Sequence, residues 1–438
     1  MVRCRFHINN PAHIATTLLI ICLCSIQNPA FAAAVDNPRP NFNDDIAALV
    51  YANCAICHRD GEAAPFSLLS YRDVKKHAKQ IVDITSRKVM PPWKPDAPLP
   101  HFIGERRLSA AQIELLRRWE AQGCPEGDSA SEPAAPKFVA GWQLGEPDMV
   151  VSMSDTYALA AEGRDVYRCF VIPVRIPAGK YLKAVEYRPQ LRKIVHHAVL
   201  TTMSARDARE RLDAEPAGTG PGFSSGLAAP GDRLPGPLGI WAPGKDVSPL
   251  PRGYAYRWPS QQVLVLQLHL HPDGKLEDER STVGFYFTDE KPRGTVQVVV
   301  LFNRDVNIAP GEKEFTLRAS QTLKFDADVV GLFPHMHLLG RTVKLTATLP
   351  DGTAEPLLSI SDWDFNWQGY YQPAEPLHLP AGTRVECVWT FDNSSDNLSN
   401  PSNPPKRVRF GEQTTNEMGA LIMDVIQTPP GVLTSRGK

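Results

Sequence analysis

The sequence predicts a small all-α unit followed by two all-β units of stacked sheets, and three observations predict it. Between residues 40 and 127 apolar side chains recur at helical spacing. From about residue 145 the pattern changes to period two. In "QQVLVLQLHLH", Val263, Val265, Gln267, His269 and His271 share one face, and Leu264, Leu266, Leu268 and Leu270 share the other. The chain also carries 40 prolines and 30 glycines among many short β-branched runs, which suits β-rich units with long loops better than a helical bundle. At 438 residues it is long enough for about three domains.

The elements follow in order. Over residues 1–33, Arg3 and Arg5 precede an apolar run from Ile14 to Cys24, and "NPAFAAA" offers Ala-x-Ala cleavage sites near Ala32 to Ala34. That is the pattern of an export signal peptide. The run is short for a bilayer span and no later stretch is long enough, so the mature chain is expected to be periplasmic or secreted, with no stable membrane insertion. Residues 40–127 form the helical unit. "NDDIAALVYANC" is amphipathic, and "SYRDVKKHAKQIVDITSRK" sets Val74, Ala78, Ile81 and Val82 on one face after Ser70. In "LSAAQIELLRRWEAQG", Ser109 and Gln112 have capping-box spacing, Ile113 and Leu116 follow, and Gly123 is a stop.

Residues 128–144 shift to Pro, Ala and Ser and read as a linker. The first β unit takes residues 145–290 and the second 291–432, with a seam in "DEKPRGTV" at 289–296. Short strand-like runs recur at "VYRCFVIPV", "KIVHHAVL", "STVGFYF", "TVQVVVLF" and "RTVKLTATL". The polar, Gly/Pro/Asn-rich stretches 204–235 and 391–405 are expected to be irregular.

Lys plus Arg total 47 against 48 for Asp plus Glu, so there is no broad basic face for nucleic acid or an anionic membrane. Of eight cysteines, Cys4, Cys22 and Cys24 leave with the signal. Setting aside Cys54 and Cys57, the odd remainder of Cys124, Cys169 and Cys387 allows at most one internal disulfide, so this is not a disulfide scaffold.

"NCAICH" is Cys54-x-x-Cys57-His58, the attachment pattern of a c-type heme. Two thiols so spaced can form thioethers to the porphyrin, and the adjacent imidazole then reaches the iron. A thioredoxin-like pair would need a surrounding parallel sheet, and a zinc site a second cysteine pair; the sequence offers neither. For the other axial position the helical unit offers Met90 in "KVMPPW", with His77 and His101 as competitors. The region resembles the small class I cytochrome c domains, in which a Met on a loop after the second helix is the distal ligand, and that resemblance implies Met90.

Seven histidines lie beyond residue 145, and six form three tight pairs: His196-His197, His269-x-His271 and His335-x-His337. One pair alone would read as ordinary strand histidines. Three pairs point to a transition-metal assembly, and imidazole without nearby carboxylate suits copper or zinc. In an extended strand His335 and His337 share a face while Met336 takes the other. His196 and His197 would face opposite ways, so they can share an ion only if the backbone bulges or the strand ends there.

"IVHHAVL", "LQLHLHPDG", "FPHMHLLGR" and "TTNEMGA", in this order, resemble the copper type II monooxygenases, the family of peptidylglycine alpha-hydroxylating and dopamine beta-monooxygenase. The resemblance covers roughly residues 150 to 430 as motif islands. It implies two jelly-roll units, each holding one copper, across a solvent-filled cleft. His196, His197 and His269 would be ligands of an electron-transfer copper. His335, His337 and Met418 would hold a catalytic copper that reacts with O2, with Met423 the alternative sulfur. His271 is expected outside the ligand set. The sequence departs from the peptide-amidating member at three carboxylate-clamping positions, here Phe333, Ala420 and Ile422, and has Gly419 where the animal enzymes have a cysteine. A peptidylglycine substrate is therefore not expected.

Together these readings lead to the expectation of a periplasmic copper-dependent monooxygenase that hydroxylates a C–H bond of a small organic substrate. Two copper ions and one covalently attached heme c would be its cofactors, and a redox protein or small-molecule donor would supply electrons. The alternatives are a non-catalytic copper and heme electron carrier, or a zinc-loaded sheet module.

Overall fold

The computed structural model describes residues 39–97, 100–139, 141–224, 238–244, 247, 249–411 and 413–427. Residues 1–33, expected to be an export signal, lie outside the described residues. Strand accounts for 36% of the chain and helix for 15%, so the molecule is mostly β.

Helices run over Phe42–Ile46, Ala47–Asn53, Tyr71–Lys76, Ala78–Ser86 and Ala110–Ala121. Their starts follow from capping chemistry. The Ser70 hydroxyl accepts from the Asp73 amide at 3.2 Å, and Ser109 with Gln112 makes both halves of a capping box. The helix expected to run unbroken through residue 77 is divided there, because His77 leaves helical geometry. Val74, Ala78 and Ile81 are buried with Phe42, Leu49, Leu116 and Trp119, closing a small core.

Residues 149–288 form two facing antiparallel sheets. One has the order Phe223–Ser224, Val166–Ile172, Gln262–Leu270, Val195–Ser204, Gly239–Trp241, and the other Met149–Ser152, Thr282–Thr288, Tyr181–Arg188. Leu264, Leu266, Leu268 and Leu270 are buried between them with Leu182 and Phe285, whereas Val265 packs on the opposite face with Cys169 and Phe223. The alternation in that strand thus sorts apolar bulk inward and leaves His269 on the outer face.

Residues 294–427 repeat the arrangement. Leu377–Leu379, Ala327–His335, Gly419–Gln427 and Gly294–Asn303 face Phe315–Thr322, Arg384–Phe391, Gly340–Thr348 and Ala354–Ile360 over a core that includes Leu332, Met423, Leu345 and Trp389. Tyr254–Ala255 crosses from the first sandwich and pairs in parallel with Gly294–Thr295 of the second.

Stretch 204–235, expected to be irregular, contains the helix Ala205–Ala214. The signal was present: Ser204 accepts from the Asp207 amide at 3.0 Å, a Ser-x-x-Asp start masked by the polar composition. Among the described residues Cys54, Cys124 and Cys387 are free thiols, and no helix is long and apolar enough to cross a membrane.

Candidate functional site

In the first sandwich, Val195 pairs with Leu270 and His197 with His269, so His196 is an extra residue between two registers. That bulge is the departure from strand geometry that neighbouring histidines need in order to face one point. The ligand nitrogens of His196, His197 and His269 lie within 4.8 Å of one another. Nδ1 of His197 is 3.3 Å from Nδ1 of His196 and 3.4 Å from Nδ1 of His269.

Nε2 of His269 faces the Asp165 carboxylate at 2.6 Å, which leaves Nδ1 for the cluster. Asp165 also binds Nδ1 of His271 at 2.8 Å, so His271 stands outside the cluster and braces the carboxylate. Hydrogen bonds from His269 and then His271 hold Asp165 down at about 2. Burial, reinforced by the neighbouring His269 ring, pulls His196 down to about 4 and His197 well below the usual histidine value. Three imidazoles directed at one point are a donor set for a transition metal.

In the second sandwich the strand Ala327–His335 ends at the first histidine. Met336 is fully buried in the core, and His337 returns beside His335 with ring centroids 5.1 Å apart. His335 Nδ1 donates to Gln368 Oε1 at 2.6 Å, and His337 Nδ1 donates to the Asn416 carbonyl at 3.0 Å. Acceptors on both Nδ1 atoms fix the tautomers and leave each Nε2 as an electron-pair donor. Burial lowers both imidazoles, His337 to about 3.

Glu417, with no exposed surface, accepts from the amides of His337 at 2.9 Å, Leu339 at 2.6 Å and Met418 at 3.2 Å. One carboxyl therefore ties the methionine-bearing loop to the histidine strand. Burial pushes Glu417 up to about 8 against those bonds. Met423, the alternative sulfur, is a core residue paired opposite Leu332. A Cβ on Gly419 would meet Leu317 Cδ2 at 2.6 Å, so a side chain there would force Leu317 to shift. Phe333 pairs across the strands with Ile422 and His335 with Ala420, setting an apolar surface beside His335.

In the helical unit the chain turns after Asn53, with the His58 amide bonded to the Cys54 carbonyl at 3.0 Å. His58 Nδ1 donates to the Phe66 carbonyl at 3.2 Å, leaving Nε2 free. Cys54, Cys57, His58 and Met90 line one cavity of about 580 Å³, whose wall also includes His196 and His197. His77 stacks on Phe66 and His101 is exposed beside Glu105; neither lines that cavity. Burial pushes the Cys54 thiol up to about 12, the reverse of what a thiol-exchange pair requires. The loop after Gly239–Trp241 presses on the motif: Gly244, at φ +76°, is so close that a Cβ would lie 2.5 Å from Cys57 Sγ.

The connection 361–376 joins these places. Trp363 Nε1 donates to the His337 carbonyl at 3.2 Å, Gln368 holds His335, and Tyr371 packs against Trp93 of the helical unit with centroids 5.7 Å apart. The Ile103 amide donates to the Gln372 carbonyl at 2.8 Å. A Cβ on Gly331 would overlap the Tyr370 hydroxyl, which donates to Asp424 at 2.6 Å. Sequence reasoning missed Asp165 and Gln368, whose contacts with His269 and His335 span 104 and 33 residues. Glu417 was adjacent to Met418 in "NEM" and readable as a candidate brace.

No family model and no curated protein matches the chain. Among solved structures it is similar to the VP2 subviral particle of infectious bursal disease virus, at 11% identity over 64% of this chain and 72% of that one, with a TM-score of 0.19. It is also similar to infectious bursal disease virus Gx strain, at 10% identity over 66% and 74%, again with a TM-score of 0.19. Likenesses this slight bear on neither fold nor activity.

Proposed function

We propose that the chain is an exported copper-dependent monooxygenase that hydroxylates a C–H bond of a small organic substrate with dioxygen, taking electrons through a c-type heme attached at Cys54 and Cys57. On this reading the helical unit is a cytochrome c and the two sandwiches are copper-binding jelly rolls. One observation carries it: each sandwich holds a braced histidine set, and His196 and His197 of the first line the cavity that also holds the Cys-x-x-Cys-His motif.

The donor sets fit the groups. Two thiols, a histidine with free Nε2 and a methionine sulfur line a cavity large enough for a macrocycle. Nitrogen donors alone at one site, and two nitrogens with a thioether available at the other, suit copper. When bound, copper would supply one-electron redox chemistry and dioxygen activation, and heme a one-electron store.

The chain's own residues do the rest. His196, His197 and His269 hold the electron-transfer site, with Asp165 setting the orientation of His269. His335, His337 and Met418 hold the catalytic site, where the thioether favours the reduced ion. Glu417 keeps Met418 in register with His337. Phe333 and Ile422 offer the substrate an apolar surface in place of a carboxylate clamp. An external redox protein or small-molecule donor refills the heme.

The test is labelled dioxygen supplied to the reduced, copper-loaded protein with cell extract. Stoichiometric label in an organic product supports the enzyme, whereas reoxidation without labelled product supports the non-catalytic carrier. Zinc at both sites with no copper in the purified protein would remove the oxygen chemistry. Met418→Ile should abolish turnover while leaving the heme spectrum unchanged.

A further inference from the structure

A phenyl ring neighbours one histidine of each set. The centroid of Phe365 is 6.3 Å from that of His269 and 6.0 Å from that of His337, so these two imidazoles are no farther apart than the sum of those distances. The ring is buried, and its place is set from both sides. The Asp364 side chain accepts from the Asn366 amide at 3.0 Å and starts the short turn Phe365–Trp367. The backbone of Asn366 is hydrogen-bonded to His196, and Gln368 accepts from His335. A single turn thus touches a histidine of each set on either side of Phe365.

We propose that Phe365 is the bridge across which an electron passes from the first metal site to the second; the inference rests on the two-copper reading above. Electronic coupling between two centres falls more steeply across empty space or mobile water than across packed atoms. A ring in contact with a ligand of each site replaces that gap. Phenylalanine has no proton to lose, so the ring is a medium and not a redox stop. One electron leaves the ion held by His196, His197 and His269, which goes from Cu(I) to Cu(II), and arrives at the ion held by His335, His337 and Met418, which goes from Cu(II) to Cu(I). No bond is made and no proton moves. The vacancy is refilled by one electron from ferrous heme, which becomes ferric.

The experiment uses the full chain loaded with heme and with Cu(II) at both sites, without oxygen or substrate. It is reduced through a ferrous cytochrome and followed by rapid-freeze electron paramagnetic resonance. In the wild type both halves of the Cu(II) signal should fall together. In Phe365→Leu, which keeps an apolar side chain without the ring, one half should fall at the wild-type rate and the other half should lose its fast phase. Phe365→Tyr should restore it. Equal, undiminished loss of both halves in Phe365→Leu overturns the bridge, as does a wild type in which only one half is reduced. Copper content is measured separately for each variant: failure of the wild type to take up two coppers overturns the functional reading itself, whereas full loading with an unaffected rate overturns only the role of Phe365.

Discussion

Asp165 shows how much of a three-histidine donor set rests on a residue outside it. Its carboxylate takes Nε2 of His269, so only Nδ1 remains for the cluster, and Nδ1 of His271 holds its other oxygen. Asp165→Asn should lower copper affinity at the three-histidine site by about 10- to 100-fold and leave the His335 site unchanged, as read by copper titration of each site. Unchanged affinity at both would reduce Asp165 to a surface ion pair. The imidazoles also set a pH dependence. His196, His197, His335 and His337 are all held below their ordinary value by burial. Above pH 6.5 neither folded nor unfolded chain protonates them. Below it the unfolded chain takes up protons that the folded chain refuses, so the metal-free fold should lose stability from there down to about 4 at His196 and about 3 at His337. Glu417, raised to about 8, works the other way between its unfolded value and that point, but it is one carboxyl against four imidazoles. The metal-free protein should therefore lose up to about 1.4 kcal/mol of stability per pH unit for each histidine as pH is lowered through this range, seen as a falling Tm. A flat profile would contradict the burial.

Elements place these residues by departing from regularity. The strand Val195–Ser204 bulges at His196, so that pair converges where an unbroken strand would have turned its rings to opposite faces, whereas His335 and His337 share a face where the strand Ala327–His335 ends. Close packing supports the second site as well. Gly419 lies against Leu317 and Trp389, and a Cβ there would force Leu317 to shift. Gly419→Cys should destabilise the fold by about 1–3 kcal/mol through overpacking, visible as a lower denaturation midpoint. An unchanged midpoint would show that Leu317 and Trp389 yield freely.

At the scale of the molecule, the helical unit is fastened to both sandwiches. Gly244 of the first meets Cys57, while Asp96 accepts from the hydroxyls of Ser359 and Ser361 of the second, each at 2.6 Å, and Lys94 pairs with Asp362 at 3.1 Å. Electrons held near Cys54 and Cys57 would thus have the first histidine set as neighbour across one cavity wall. Cys54→Ala with Cys57→Ala should abolish covalent heme, assayed by heme stain after denaturing electrophoresis, while both copper sites still load. Heme retained covalently in that variant would remove the c-type assignment.

The sequence alone determined the helix-then-sheet organisation, the Cys-x-x-Cys-His motif and the three histidine pairs, because period, capping and spacing are local properties. It also posed the requirement for a bulge at His196, since alternation in a strand is fixed by backbone geometry. Only the tertiary structure decided that Asp165, Gln368 and Glu417 brace the histidines, that Met423 belongs to the core, and that Phe365 neighbours a histidine of each set. Those relations depend on which strands become neighbours and how a long connection folds back across them, and side chains brought together over such distances leave no periodic trace in the chain.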